Sequence, residues 1–394
     1  MNRGLLLTLV LGAIPAAAQA QDSTRWGDEL PAAAAPVLPG PAPEEPHPAP
    51  PLMKPPARVR ALYLTAWVFG SQRFYDLVRL ADSTEVNAFV IDVKDDTGYL
   101  TYRSGVPTAT AIGANAQLRA RDARERLALL HEKGIFPIAR IVVAKDPLLA
   151  LKKPGWSIQD AGGGPWRDRQ GRAWVDAYRD SVWIYAAELG EEAVRLGFAE
   201  LQYDYVRFPD EPRSRMARAR YGGRREGETT RDGVRRNLGL LRERVAPLGV
   251  PFTLDVFGMT TVAEGDLGIG QVWEDLVDVA DVVLPMVYPS HYYTGMYGFK
   301  SPNAAPYEVV KRALEDGLRR SAKVEQPAEV RPYLQAFTLG PPRYGPEQVR
   351  AQMRAGYDLG LEGWVLWNPR SVYDPRIFRA DQPEAAAAVG GAAQ

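Results

Sequence analysis

The chain has 394 residues, with 48 basic and 48 acidic side chains, three histidines and no cysteine. A formal charge of zero argues against nucleic-acid binding, which draws its affinity from a basic excess and counterion release. The missing thiols exclude disulfides, cysteine nucleophiles, cysteine-ligated zinc and lipidation of a lipobox cysteine.

Length alone suggests two or three domains at about 150 residues each. However, 11 of the 33 prolines fall between Pro31 and Pro56, where they supply no backbone donors and little apolar mass to bury. At the N-terminus, Arg3 precedes the apolar run Leu5–Leu11, and small residues lead to Ala18-Gln19-Ala20. That order predicts a secretory signal peptide over 1–20, cleaved near Ala20, and hence an exported (periplasmic or secreted) protein. Its apolar core is too short for a permanent span, and no later segment reaches 18 uncharged apolar residues. Residues 21–57 read as a Pro/Ala-rich disordered linker and 381–394 as a disordered Ala/Gly tail. About 320 residues remain over 58–380, a natural size for one large α/β barrel.

In chain order, apolar or β-branched runs predict strands over Arg60–Trp67, Ala88–Lys94, Phe136–Val143, Glu200–Phe208, Pro251–Gly258, Val282–Tyr288, Arg331–Phe337 and Gly363–Pro369. Amphipathic helical stretches lie between them, among them Arg119–Lys133, Asp176–Leu196, Thr230–Val245, Pro306–Arg320 and Pro346–Leu359. Gly134, Gly197, Gly249 and Gly360 each follow a helix and precede a strand, as C-terminal caps do. Eight strands alternating with helices predict the α/β class and a (β/α)8 TIM barrel. An open doubly wound sheet would be expected to carry a glycine-rich nucleotide turn after its first strand, and none follows Thr65-Ala66-Trp67.

In a TIM barrel the active site lies at the C-terminal strand ends. Asp92, Asp204 and Asp255 each interrupt an apolar strand near such an end, where a carboxylate is costly unless paired or functional. They are the candidate catalytic residues, because glycoside hydrolysis needs two carboxyl groups facing one another. A salt bridge of Asp204 with Arg207, and a pair of Asp92 with Lys94 on the same strand face, are the structural alternatives.

The segment Leu196–Pro209 (LGFAELQYDYVRFP) resembles the signature of a bacterial glycoside hydrolase family catalogued as DUF4015. Phe89–Gly98, Trp174-Val175-Asp176 and Leu284–Tyr292 support the likeness, which extends over about residues 58–380 in the expected order. The resemblance implies a TIM barrel related to amylase-like glycosidases, with a nucleophile-type aspartate at Asp204 and Arg207 nearby. Amylase-like enzymes carry a glutamate acid on strand five; this chain has Asp255 there, so the acid falls to Asp255 or Asp92.

Flat aromatic faces beside polar groups suit sugar rings. Trp67, Tyr203, Tyr288, Trp367 and Asn368 at strand ends, with Arg207 and His291, are the candidate substrate-binding residues. Nine arginines between Arg213 and Arg236 point to an anionic glycan as the alternative to a solvated surface. With His131 and His291 alone in the folded part, a histidine-rich zinc site is not expected; an all-oxygen calcium site stays open. The combined expectation is an exported glycoside hydrolase needing no organic cofactor, acting on an envelope or environmental polysaccharide. The competing class is a non-catalytic carbohydrate-binding or scaffold protein on the same barrel.

Overall fold

The computed structural model describes residues 51–379. The expected signal peptide, most of the 21–57 linker and the 381–394 tail lie outside the described residues. Eight parallel strands close into a barrel: β1 Arg60–Leu64, β2 Ala88–Lys94, β3 Phe136–Val142, β4 Glu200–Asp204, β5 Phe252–Phe257, β6 Val282–Met286, β7 Tyr333–Gln335 and β8 Trp364–Trp367. Hydrogen-bonded neighbours run in that order, and Arg60↔Trp364 through Leu62↔Leu366 join β8 back to β1. This is the expected (β/α)8 TIM barrel.

Seven helices follow the first seven strands: α1 Arg73–Asp82, α2 Ala123–Glu132, α3 Asp180–Leu196, α4 Thr230–Val245, α5 Trp273–Val279, α6 Pro306–Ser321 and α7 Pro346–Tyr357. After β8 the described chain forms only the 3-10 turn Pro375–Ile377.

All strands but β2 are shorter than their apolar runs predict, and in three of them the local reason is clear. The β1 strand stops at Leu64 because Thr65 caps a helical turn, its side-chain oxygen accepting from the Val68 amide at 3.1 Å. Strand β4 stops at Asp204 because Tyr205 adopts φ +52°, a left-handed conformation that costs a bulky residue energy. In the seventh run, Arg331–Phe337, β7 begins only at Tyr333, after Pro332, which has no N–H for the ladder, and a separate short strand, Glu329–Val330, precedes it.

Side chains alternate between two apolar layers. Leu62, Phe89, Ile141, Leu201, Tyr203 and Leu254 pack outward against the helices. Ala61, Tyr63, Val90, Ile138, Leu284 and Tyr333 fill the interior. The interior also holds polar groups in stacked layers. At the N-terminal end, buried Glu200 accepts from Arg331 Nη1 at 2.8 Å and from Thr253 Oγ1 at 3.1 Å. One pleat further on, Gln202 donates through Nε2 to Asp255 Oδ2 (3.0 Å) and to the Tyr333 hydroxyl (2.9 Å).

Candidate active site

At the C-terminal mouth a cavity of about 350 Å³ is floored by Arg140, Asp204 and Asp255, with Trp174, Tyr288, Trp367 and Arg207 on its walls. Its centre is Arg140, on the same inward parity of β3 as Ile138. Its Nη1 donates to Asp92 Oδ1 at 2.6 Å. Its Nε and Nη2 donate to Asp204 Oδ2, the former at 3.2 Å, and Nε also lies 3.5 Å from Asp255 Oδ2. The guanidinium thus joins the three aspartates, which come from β2, β4 and β5. Arg140 was missed as a site residue in the sequence, although an arginine inside Phe136-Pro137-Ile138-Ala139-Arg140-Ile141-Val142 carries the same burial penalty that singled out the aspartates.

The three carboxyl groups are not equivalent. Asp204 lines the cavity and also accepts from the Tyr205 amide at 2.5 Å, so the strained turn that ends β4 helps to aim its carboxylate. Asp255 also lines the cavity. Burial, and next the negative charge of Asp204, push its pKa well above the usual carboxylate value, against the opposing pull of Arg140. Its Oδ1 is buried and finds no donor among the described residues. Asp92 sits below the cavity floor, where the Tyr63 hydroxyl donates to its Oδ2 at 2.5 Å; burial raises its pKa to about 6. Asp92 therefore holds Arg140 in place and does not face the cavity.

Both structural alternatives weighed for these carboxylates are replaced. Asp204 pairs with Arg140 and not with Arg207. Lys94 pairs with buried Asp146 at 2.7 Å, because a register shift between Asp92 and Lys94 breaks the alternation that would put them on one face.

The structure sorts the expected binding residues. Tyr288 and Trp367 stack at 5.1 Å with 23° between ring planes, and Phe337 meets Trp367 edge-on, forming an aromatic wall from the ends of β6, β7 and β8. His291 lines the cavity beside Tyr288, with its Nδ1 3.0 Å from Ser290 Oγ. Arg207 lies on the opposite wall with Trp174.

Three expectations are corrected. Tyr203 faces outward: a Cβ on Gly190 of α3 would stand 2.3 Å from its hydroxyl oxygen, so the glycine makes room for the ring between barrel and helix. Trp67, at 63% exposure, lies on the helical turn after β1 beneath the Arg119 guanidinium (4.6 Å) and outside the cavity. Asn368 braces strand ends, donating to the Ala336 carbonyl at 2.7 Å and accepting from the Arg370 amide. The buried Tyr203 hydroxyl has no hydrogen-bond partner among the described residues. Tyr203→Phe is thus expected to leave any catalytic activity within about two-fold and thermal stability unchanged or slightly raised. A large activity loss, measured beside a thermal melt, would reinstate Tyr203 in the site.

Six of the nine arginines in the arginine-rich segment pair with, and partly share, the chain's own acids. Arg215 pairs with Glu211, Arg218 with Asp160, Arg225 and Arg236 with Asp180, and Arg231 and Arg235 with Asp275. Arg220 and Arg224 donate to backbone carbonyls. The charge available to the anion-attracting role expected of this segment is thus smaller than the arginine count alone suggests.

Among the described residues no cluster of three or more histidine, aspartate or glutamate side chains could hold a metal ion. No described helix is long and apolar enough to cross a membrane.

A search of curated proteins finds no match to this chain. Among solved structures, a hypothetical protein from Ruminiclostridium thermocellum is 36% identical over 50% of this chain and 97% of its own, with a TM-score of 0.44. The PgaB (BpsB) glycoside hydrolase domain from Bordetella bronchiseptica is 14% identical over 82% and 95%, with a TM-score of 0.55. A chitobiase from Flavobacterium johnsoniae is 11% identical over 82% and 47%, with a TM-score of 0.50. The latter two likenesses are of fold. The family model DUF4015, described as "Putative glycosyl hydrolase domain", matches residues 61–373. Since that match spans most of the chain and every element of the barrel, the protein belongs to the DUF4015 glycosyl hydrolase-like family.

Proposed function

We propose that the protein is an exported glycoside hydrolase that cleaves a cell-envelope or environmental polysaccharide, with Asp204 as nucleophile and Asp255 as general acid and base. The observation that carries this reading is the pairing, on one cavity floor, of a carboxylate held by Arg140 with a second carboxyl whose pKa is raised by burial and a negatively charged neighbour. Such opposed environments are how two carboxyl groups divide acid and nucleophile roles. Both Oδ2 atoms lie within 3.5 Å of Arg140 Nε. Their separation is therefore at most about 7 Å, short of most of the inverting range and compatible with the closer spacing of double displacement.

In the first step Asp255 gives its proton to the leaving glycosidic oxygen while Asp204 attacks the anomeric carbon, forming a glycosyl ester. In the second, Asp255 takes a proton from water as that water's oxygen displaces Asp204. The sugar is restored with its original anomeric configuration and both carboxyl groups return to their starting states. Export rests on the N-terminal residues 1–20 alone.

A non-catalytic carbohydrate binder is the second reading, favoured by the engagement of both Asp204 oxygens, one by Arg140 and the other by the Tyr205 amide. Reducing-end release from a panel of glycans separates the two. The wild type is expected to release sugar and Asp204→Asn to lose at least about 10³-fold, a typical penalty for removing a nucleophile. A wild type that binds a glycan and releases nothing ends the hydrolase reading.

A further inference from the structure

We infer that the sugar bound in this cavity carries a carboxylate, held by Arg207; the inference rests on reading the cavity as a sugar site. The cavity contains several cations, and most already have acidic partners. Arg140 is shared by three aspartates, Lys145 pairs with Asp96 at 2.9 Å, and Arg169 pairs with Glu211 at 3.0 Å. Arg207 differs. Its guanidinium lies over the rings of Tyr205 (4.8 Å), Trp174 (5.6 Å) and Phe257 (5.9 Å). Its Nη1 donates to the Phe208 carbonyl at 3.0 Å. No carboxylate among the described residues forms an ion pair with it, in contrast to Arg215 and Arg218 just downstream.

A half-buried guanidinium loses hydration, and a carboxylate ordinarily restores it. Here aromatic faces supply part of the compensation, and they also fix the plane of the group. Nη1 is held by a backbone carbonyl, while Nε and Nη2 remain to donate into the cavity that Arg207 lines. A rigid pair of donors in one plane matches a carboxylate in bidentate geometry. The cavity lining carries five carboxyls, Asp168, Asp204, Asp210, Glu211 and Asp255, against four basic groups, Arg140, Lys145, Arg169 and Arg207. An anionic sugar entering beside Asp204 meets repulsion, and Arg207 provides the cation that offsets it without disturbing the Arg140 clamp.

Among the sugars that present that chemistry are a hexuronate, through its ring carboxyl, and a muramic-type sugar, through its lactyl ether. Calorimetric titration of full-length Asp204→Asn protein distinguishes them without turnover. One arm uses tetragalacturonate and its carboxyl-reduced counterpart; the other uses muramic-acid-containing glycan strands and their carboxyl-reduced form. In one arm the charged glycan is expected to bind roughly ten-fold to a hundred-fold tighter than its reduced partner, the range for a hydrogen-bonded charged group. Adding Arg207→Gln should erase that preference, and Arg207→Lys should restore part of it, with circular dichroism melts verifying that both variants fold. Equal binding of charged and reduced forms in both arms, no binding in either, or a preference that survives Arg207→Gln overturns the inference. A wild type that hydrolyses neutral glycans with no such preference keeps the hydrolase reading and loses this one. Discrimination in binding with no sugar release does the reverse.

Discussion

Arg140→Met is expected to destabilise the protein by about 3–5 kcal/mol at pH 8, the usual cost of leaving buried charges without their partner. The side chains of Asp92, Asp204 and Asp255 are at most 6% exposed and share this one guanidinium. Methionine fills a similar volume but donates nothing, so three acids would face each other across the barrel mouth. They respond by binding protons: Arg140 is a lowering influence on both Asp92 and Asp255, and its loss raises both further. A carboxyl whose folded pKa lies above its unfolded one contributes stability at low pH and loses it as pH rises through the folded value. The destabilisation should therefore shrink between pH 8 and pH 5. Urea unfolding at the two pH values measures it; a cost under about 1 kcal/mol, or one that does not depend on pH, would show that Arg140 is not the counter-charge of this cluster.

Asp255→Asn is expected to slow hydrolysis of substrates with poor leaving groups by about 10²–10⁴-fold, the range for a general acid. Substrates with activated leaving groups, such as dinitrophenyl glycosides, need no proton in the first step and should be slowed much less in forming the glycosyl ester. Azide, which needs no base, should then accelerate release of that ester as a glycosyl azide. The pH profile carries an independent signature. Asp255 holds its proton to unusually high pH because it is buried beside Asp204, and the acid role needs that proton. In the wild type kcat/KM should accordingly fall as pH rises through the Asp255 pKa, and this alkaline limb should vanish in Asp255→Asn. Equal losses on good and poor leaving groups would remove Asp255 from the acid role.

The strand runs from Ala88, Phe136 and Val282 begin where the barrel strands begin, because short apolar segments between helices have little alternative to a buried parallel strand. The aspartates could be picked out because a charge in such a strand is too costly to be incidental. Local sequence singles out Asp204 as the principal carboxylate but does not rank Asp92 against Asp255. Asp92 and Asp255 sit in similar local surroundings, Ile91-Asp92-Val93 and Leu254-Asp255-Val256, yet one lies beneath the floor and the other on it. What separates them is depth along the barrel axis, set by the stagger between strands distant in the chain.

Tyr203 shows the opposite balance. It adjoins Asp204, and strand parity alone places the two on opposite faces; the outward position was available from the local sequence. Trp67 was not so readily placed, since Thr65 converts the expected strand end into a helical turn. The arginines after β4 read as a basic patch because a linear count cannot see Asp160, Asp180 and Asp275, which the fold brings to them from other segments.

Length, charge, alternation of strand and helix, and carboxylates in apolar strands already constrained this protein to a barrel with carboxyl groups at its mouth, because those features depend on local burial and periodicity. The tertiary structure alone decided that Arg140 gathers the three aspartates, that Asp255 rather than Asp92 faces the cavity with a raised pKa, and that Arg207 is left without an acid. Each of those depends on which distant groups share a desolvated volume, and electrostatic energies there follow distance through space, not along the chain.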